Sequence, residues 1–201
     1  MLFRSNDSKK QFYLTQFGTL LRRTPLQFLK VLGLLLSKRL TLTMQPLHDP
    51  HVVEWLESHR FWIGLHCMGV IYKPSVLNSF ELGCLNSHIG LLPEYRGRSV
   101  MEWSLLTGAP TGITVFFMDG GIDTGAQVLL RREVGVEGKT DNLGAKEVLF
   151  HSDGVMYRDA LRQIIQPGFQ PLLNDGTGKR FYVMSHLLVS VVNTLLQEKK
   201  S

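Results

Sequence analysis

Between Phe61 and Met68 the chain runs FWIGLHCM, eight residues almost without polar interruption. A run this short and aromatic-rich suits a strand buried on both faces of a sheet, and such a strand demands a covering layer on each side. Just upstream, Asp49 and Pro50 have the form of an N-cap and first helical residue for residues 51–58, where Val52, Val53 and Leu56 share a face. The same alternation continues: a short helical turn over 74–80, a buried strand over 82–86 ending in a polar residue, and a loop over 90–97. A helix over 100–106, a strand over 113–118, a Gly-rich turn over 119–125 and a strand over 127–134 follow. Helical composition fills 141–165, with a break at 152–154, and an apolar-faced helix over 184–197 closes the chain. This order predicts an α/β fold, an open, mostly parallel twisted sheet with helices on both faces.

A length of 201 residues allows one compact domain with at most a terminal appendage, and 44% hydrophobic with 19% charged residues excludes a disordered chain. The net charge of +5 is unevenly spread. Residues 1–43 hold Arg4, Lys9, Lys10, Arg22, Arg23, Lys30, Lys38 and Arg39 against Asp7 alone, whereas the remaining 158 hold 14 basic and 16 acidic side chains. Attraction to nucleic acid or an anionic membrane is therefore an argument about the arm only. Its apolar stretch, Val31 to Leu36, is far short of the roughly 18 residues a bilayer span needs, and Ser37-Lys38-Arg39 does not resemble a signal cleavage site. A basic, acid-poor arm is compatible with a mitochondrial presequence; the preferred reading is a helix opened by Pro25, with Leu26, Leu29, Leu32, Gly33 and Leu36 on one side. The chain thus divides into a basic, helical arm, 1–43, and a folded domain, 44–201. Cys67 and Cys84 are too few for a disulfide framework or a Cys-rich zinc site, so reduced, buried thiols and a cytoplasmic setting are expected.

In open α/β sheets ligands sit beyond the carboxyl ends of the strands. Asn86 ends one predicted strand, His88 lies two residues on, and Asp123 lies five residues past the end of another. Taken singly, each has an ordinary explanation: an amide bonding neighbouring backbone, a core histidine satisfied by a carbonyl, an Asp in a turn. Together an amide, an imidazole and a carboxylate at one sheet edge suit acyl chemistry, and that chemistry needs no metal.

Several short motifs stand in one order: Leu85-Asn86-Ser87-His88, Leu91-Leu92-Pro93, Tyr95-Arg96-Gly97, Trp103, Thr111-Gly112-Ile113-Thr114 and Met118-Asp119-Gly120-Gly121-Ile122-Asp123-Thr124-Gly125. In this arrangement the chain resembles the catalytic domain of the folate-dependent formyltransferases, strongly over about residues 60–135 and more weakly over about 44–166. The family includes glycinamide ribonucleotide, methionyl-tRNA and amino-sugar formyltransferases and formyltetrahydrofolate hydrolase. The resemblance implies a Rossmann-like fold and a catalytic set of Asn86, His88 and Asp123, with 10-formyltetrahydrofolate as co-substrate. An amine would attack the formyl carbon and pass through a tetrahedral intermediate. Asn86 and His88 would donate to the oxyanion, a task in which losing one donor typically costs about a hundredfold or more. Asp123 would hold the imidazole and relay a proton. The pterin would lie against Gly69, Val70, Ile71 and Tyr72 and against the backbone of Met118, Gly120, Gly121 and Ile122, while Leu91 and Leu92 would wall the formyl site and Gly90 and Gly97 let the loop move.

The chain departs from the family at several points. Residues 1–45 carry no strand, Gly turn and helix of the kind that opens family members, so the first strand is expected to be missing. Arg98-Ser99-Val100-Met101 lacks the proline common after Tyr-Arg-Gly, and Gly90 stands where many members have serine. Only 35 residues follow residue 166, which argues against a second nucleic-acid-binding domain and against transfer RNA as partner. These features point to a primary amine on a small metabolite, an amino sugar or nucleotide-linked amine, as acceptor. Two alternatives stand beside that reading: a shortened paralogue acting as a folate- or partner-binding module, and a 10-formyltetrahydrofolate hydrolase.

Overall fold

The computed structural model describes residues 49–66, 70–174 and 177–198. The chain divides into two units, Met1–Gln45 and Pro46–Ser201; the basic arm, its helix, the first-strand question, Cys67 and Gly69 all lie outside the described residues. The elements of the second unit are, in order, α1 (Pro50–His59), β1 (Ile63–His66), α2 (Pro74–Leu77), β2 (Gly83–His88), β3 (Tyr95–Gly97) and α3 (Val100–Leu106). There follow β4 (Gly112–Phe117), β5 (Gln127–Glu133), α4 (Asn142–Ile164), β6 (Leu172–Leu173), β7 (Lys179–Phe181) and α5 (His186–Glu198).

Local chemistry sets the helix starts. Asp49 caps α1 by accepting from the His51 N–H at 2.9 Å, with Pro50 in the first turn, and Asp141 caps α4 by accepting from the Gly144 N–H at 2.8 Å. The break expected at 152–154 is absent: α4 runs unbroken for 23 residues. The Ser152 hydroxyl is absorbed by the Val148 carbonyl at 3.1 Å, and the buried face Ala145, Leu149, Met156, Tyr157 and Ala160 continues straight through the Gly154 position.

The main sheet has the order β1-β2-β4-β5-β6, with β3 and β7 forming a separate parallel pair. The α/β class and the covering helices hold, but the pairing is more mixed than the sequence suggested. β1 and β2 are parallel, whereas β2–β4, β4–β5 and β5–β6 are antiparallel. For β4 and β5 the cause is the connection, nine residues from 118 to 126, which is too short for the crossover of a dozen or more that parallel neighbours need. Buried Leu85, Ile113, Val115 and Leu129 of the sheet meet Met101, Leu149, Met156 and Val192 of the helices in one core. Burial of this kind, about 25 cal/mol per Å² of apolar surface, is the main term holding β2 and β4 in place. Cys84 is buried in the core. Among the described residues no helix is long and apolar enough to cross a membrane.

Candidate active site

The alternation of β2 sorts its last residues onto opposite sides. Asn86 and His88 share one face, and Ser87 takes the other. On the Ser87 side α4 supplies the partners. The Ser87 hydroxyl donates to Asp153 Oδ1 at 2.8 Å, and the Tyr157 hydroxyl accepts from the Ser87 N–H at 2.8 Å while donating to the His66 carbonyl. Burial pushes the Asp153 carboxyl above its ordinary value, with the Ser87 hydrogen bond opposing.

The other face carries the constellation expected from the sequence, and the three groups meet. His88 Nδ1 lies 3.7 Å from Asp123 Oδ2, with side-chain exposures of 8% and 18%. The Asn86 Nδ2 group donates to Asp123 Oδ1 at 3.4 Å. An amide and an imidazole thus converge from the sheet on one carboxylate, each at a distance longer than a tight hydrogen bond. The far side of the imidazole is also engaged: His88 Nε2 lies 2.9 Å from the Tyr95 carbonyl.

Asp123 reaches this position from the loop between β4 and β5. Its backbone is left-handed, φ 44°, a region that Asp tolerates better than most residues but that still costs free energy. Arg96 holds the loop there, donating from Nε to the Asp123 carbonyl at 3.0 Å and from Nη2 to the Ile122 carbonyl at 3.3 Å. Asp119 organises the first half, accepting from the Gly121 N–H at 2.8 Å and the Thr124 hydroxyl at 2.5 Å. The loop after His88 is held as firmly. The Thr114 hydroxyl, fully buried, donates to the Gly90 carbonyl at 2.7 Å and accepts from the Leu92 N–H at 3.0 Å.

Gly90 answers the departure noted above. A Cβ there would come within 2.8 Å of both His88 Nε2 and the Tyr95 carbonyl, so the absence of a side chain is what admits the His88–Tyr95 contact. Far from slackening the loop, this glycine lets it close on the imidazole.

The expected pterin residues divide into groups. Val70 and Ile71 are 42% and 70% exposed, so their side chains are not core. Gly120 and Gly121 are exposed, with Met118, Ile122 and Tyr72 half-buried, and the Met118 N–H is bonded to the Cys84 carbonyl at 2.8 Å. Leu91 and Leu92 are 3% and 1% exposed, and Leu92 packs on Phe116 and Val128. They shape the loop from beneath and present no open wall. A cavity of about 260 Å³ opens on another side of His88, lined by Ser99, Glu102, Lys146 and Phe150. Glu102 is buried and paired there with Lys146. Among the described residues no group of His, Cys, Asp and Glu could hold a metal ion.

Two contributors went unread in the sequence. Arg96 belongs to a motif, but its grip on the loop depends on the fold. His66, the last residue of β1, stands in register with Asn86, and its Nδ1 lies 3.0 Å from Asn86 Oδ1. The signal available was a single polar residue near the end of an otherwise apolar run.

Residues 31–149, more than half of the chain, match the family Formyl transferase, and the chain belongs to that family. Over 111 residues it is 38% identical to a methionyl-tRNA formyltransferase from a Cyanothece species, covering 54% of this chain and 33% of the relative. It therefore spans about a third of the length of that curated relative. The fold is shared with a sugar N-formyltransferase from a Shewanella species, at a TM-score of 0.58 and 20% identity over 76% of this chain and 66% of the other. It is shared too with a formyltransferase from Anoxybacillus kamchatkensis, solved in complex with a UDP-linked formamido sugar and tetrahydrofolate. Here the TM-score is 0.54 and the identity 20%, covering 80% and 85% of the two chains.

Proposed function

We propose that residues 44–201 transfer a formyl group from 10-formyltetrahydrofolate to a primary amine of a small metabolite, such as an amino sugar. The observation that carries this reading is the convergence of the Asn86 amide and the His88 imidazole on a single carboxylate at the carboxyl end of β2. Two donors held on a sheet and aimed at one negative oxygen-bearing group are suited to the oxyanion that forms when an amine adds to a formyl carbon. For that step the formyl oxygen takes up the groups that now face Asp123. Asp123, hydrogen-bonded to Asn86 and 3.7 Å from His88 Nδ1, accepts the proton that the attacking amine loses, and the bond from the formyl carbon to the folate nitrogen then breaks as that nitrogen takes up a proton and leaves as tetrahydrofolate. The pterin edge would meet the segments 70–72 and 118–122, in which Val70, Ile71, Gly120 and Gly121 are exposed.

A second acceptor is favoured by the methionyl-tRNA formyltransferase relative, 38% identical over the matched residues. The α-amine of methionyl-tRNA is chemically the same kind of nucleophile, and the two acceptors separate by experiment. The protein is mixed with 10-formyltetrahydrofolate and offered, in turn, amino sugars, nucleotide-linked amino sugars and methionyl-tRNA, and release of tetrahydrofolate is followed. Turnover with a small amine supports the leading reading, and turnover with methionyl-tRNA alone replaces its acceptor. Release without any amine indicates a hydrolase. Binding of a folate analogue by titration calorimetry, with no turnover in any arm, would falsify the enzymatic reading in favour of a binding module.

A further inference from the structure

We propose that His66 is a positioning residue that fixes which end of the Asn86 amide faces the cleft; this rests on the formyl-transfer reading above. An asparagine amide has a donor end and an acceptor end of nearly the same shape, so its orientation follows from its hydrogen-bond partners. Asn86 can serve an oxyanion only with its NH₂ turned into the cleft. Asp123 rewards that orientation from the cleft side, accepting from Nδ2 at 3.4 Å. On the other side His66 Nδ1 meets Asn86 Oδ1 at 3.0 Å. A proton on Nδ1 makes this a hydrogen bond and holds the oxygen end away from the cleft; because Nε2 faces the Val70 carbonyl, also an acceptor, the ring serves both contacts only with a proton on each nitrogen. The opposite amide orientation would set Oδ1 against the Asp123 carboxylate.

The His66 ring is held by two further contacts and its backbone by a third. Nε2 lies 3.0 Å from the Val70 carbonyl, Tyr72 packs edge-on with ring centroids 4.7 Å apart, and the His66 carbonyl accepts from the Tyr157 hydroxyl. One side chain therefore ties the exposed segment beginning at Val70 to the donor on β2. Register supplies the rest, because β1 and β2 are parallel and His66 is opposite Asn86.

Two replacements separate the two ring nitrogens. The amide nitrogen of Asn can take the place of Nδ1, and that of Gln the place of Nε2. The expected result is that His66→Ala lowers kcat roughly ten- to a hundredfold, the scale on which a misplaced reacting group is penalised. His66→Asn should recover most of that loss, and His66→Gln should not. In an Asn86→Ala background His66→Ala should have almost no further effect, since the group it orients is gone. Losses that multiply, or Gln rescuing as well as Asn, would overturn the proposal.

A measurement that needs no turnover keeps this test apart from that of formyl transfer itself. In ¹⁵N NMR spectra of the folded protein, His66 Nδ1 should be protonated, and the Asn86 side-chain NH₂ pair should shift and broaden in His66→Ala. An unprotonated Nδ1, or an Asn86 pair that is unchanged, overturns the assignment whether or not any acceptor is formylated.

Discussion

The site is assembled from two regions of contrasting build, the carboxyl end of β2 and the loop from 118 to 126. On β2, Asn86 lies between two paired strands, in register with His66 on one side and Phe116 on the other, and His88 is in register with Thr114 of β4. Many weak backbone bonds share the work of holding them. The loop has an exposed tip at Asp119, Gly120 and Gly121 and a left-handed residue at Asp123, and its conformation depends on a few side-chain bonds from Arg96 and Asp119. The donors are therefore placed by architecture and the acid by local clamps. A single surface-level change can move the second without touching the first.

The sharpest way to break the pairing is to remove a chemical group. His88→Ala and Asp123→Asn are each expected to lower formyl transfer by about a hundredfold or more, in a tetrahydrofolate-release assay, with the far-UV spectrum unchanged. Next in size is the clamp. Arg96→Met keeps bulk but gives up both carbonyl contacts, and a displaced Asp123 should reduce kcat by roughly ten- to a hundredfold while the thermal midpoint moves little. Wild-type kcat in that variant would show that the loop holds itself.

On the strand side, Gly90→Ala inserts a methyl where 2.8 Å separates its position from His88 Nε2 and the Tyr95 carbonyl. Overpacking of this kind costs about 1–3 kcal/mol. Chemical denaturation should show the loss, together with a weaker His88–Tyr95 contact in ring-nitrogen spectra. The smallest effect concerns the opposite face of β2. Burial raises the folded-state value of the Asp153 carboxyl above 3.8. A raised carboxyl favours folding fully only below its unfolded value, and that contribution is lost as pH rises through the folded value. Asp153→Asn keeps an acceptor for Ser87 and removes the penalty, so its thermal midpoint should exceed that of wild type near neutral pH. The gap should shrink on acidification, and a gap independent of pH would refute the account.

The contrast between the two regions also explains what could be read in advance. β2 and β4 announce themselves through near-continuous apolar runs, and Asn86 and His88 stand out as the polar residues that end such a run. Asp123 is marked by the glycines around it. Arg96 and His66 act through partners 27 and 20 residues away, and nothing in local composition encodes those distances. Strand direction was concealed for a similar reason, because a buried strand is apolar on both faces whether its neighbours are parallel or antiparallel. The helix break misread at 152–154 shows packing overriding propensity: Ser152 and Gly154 are poor helix formers, and the buried face on either side carries the helix across them. β3, β6 and β7, of three, two and three residues, are too brief to leave a period.

The pairing of β3 with β7 has a practical consequence. Tyr95, whose carbonyl meets the His88 imidazole, stacks on Phe181 with centroids 5.1 Å apart, the Arg98 N–H donates to the Phe181 carbonyl at 3.1 Å, and the Trp103 indole donates to the Tyr182 carbonyl at 2.9 Å. A fragment trimmed to the 31–149 family match would retain Asn86, His88 and Asp123 and discard this brace. Reagents for crystallisation or inhibitor screening should therefore keep the tail through α5.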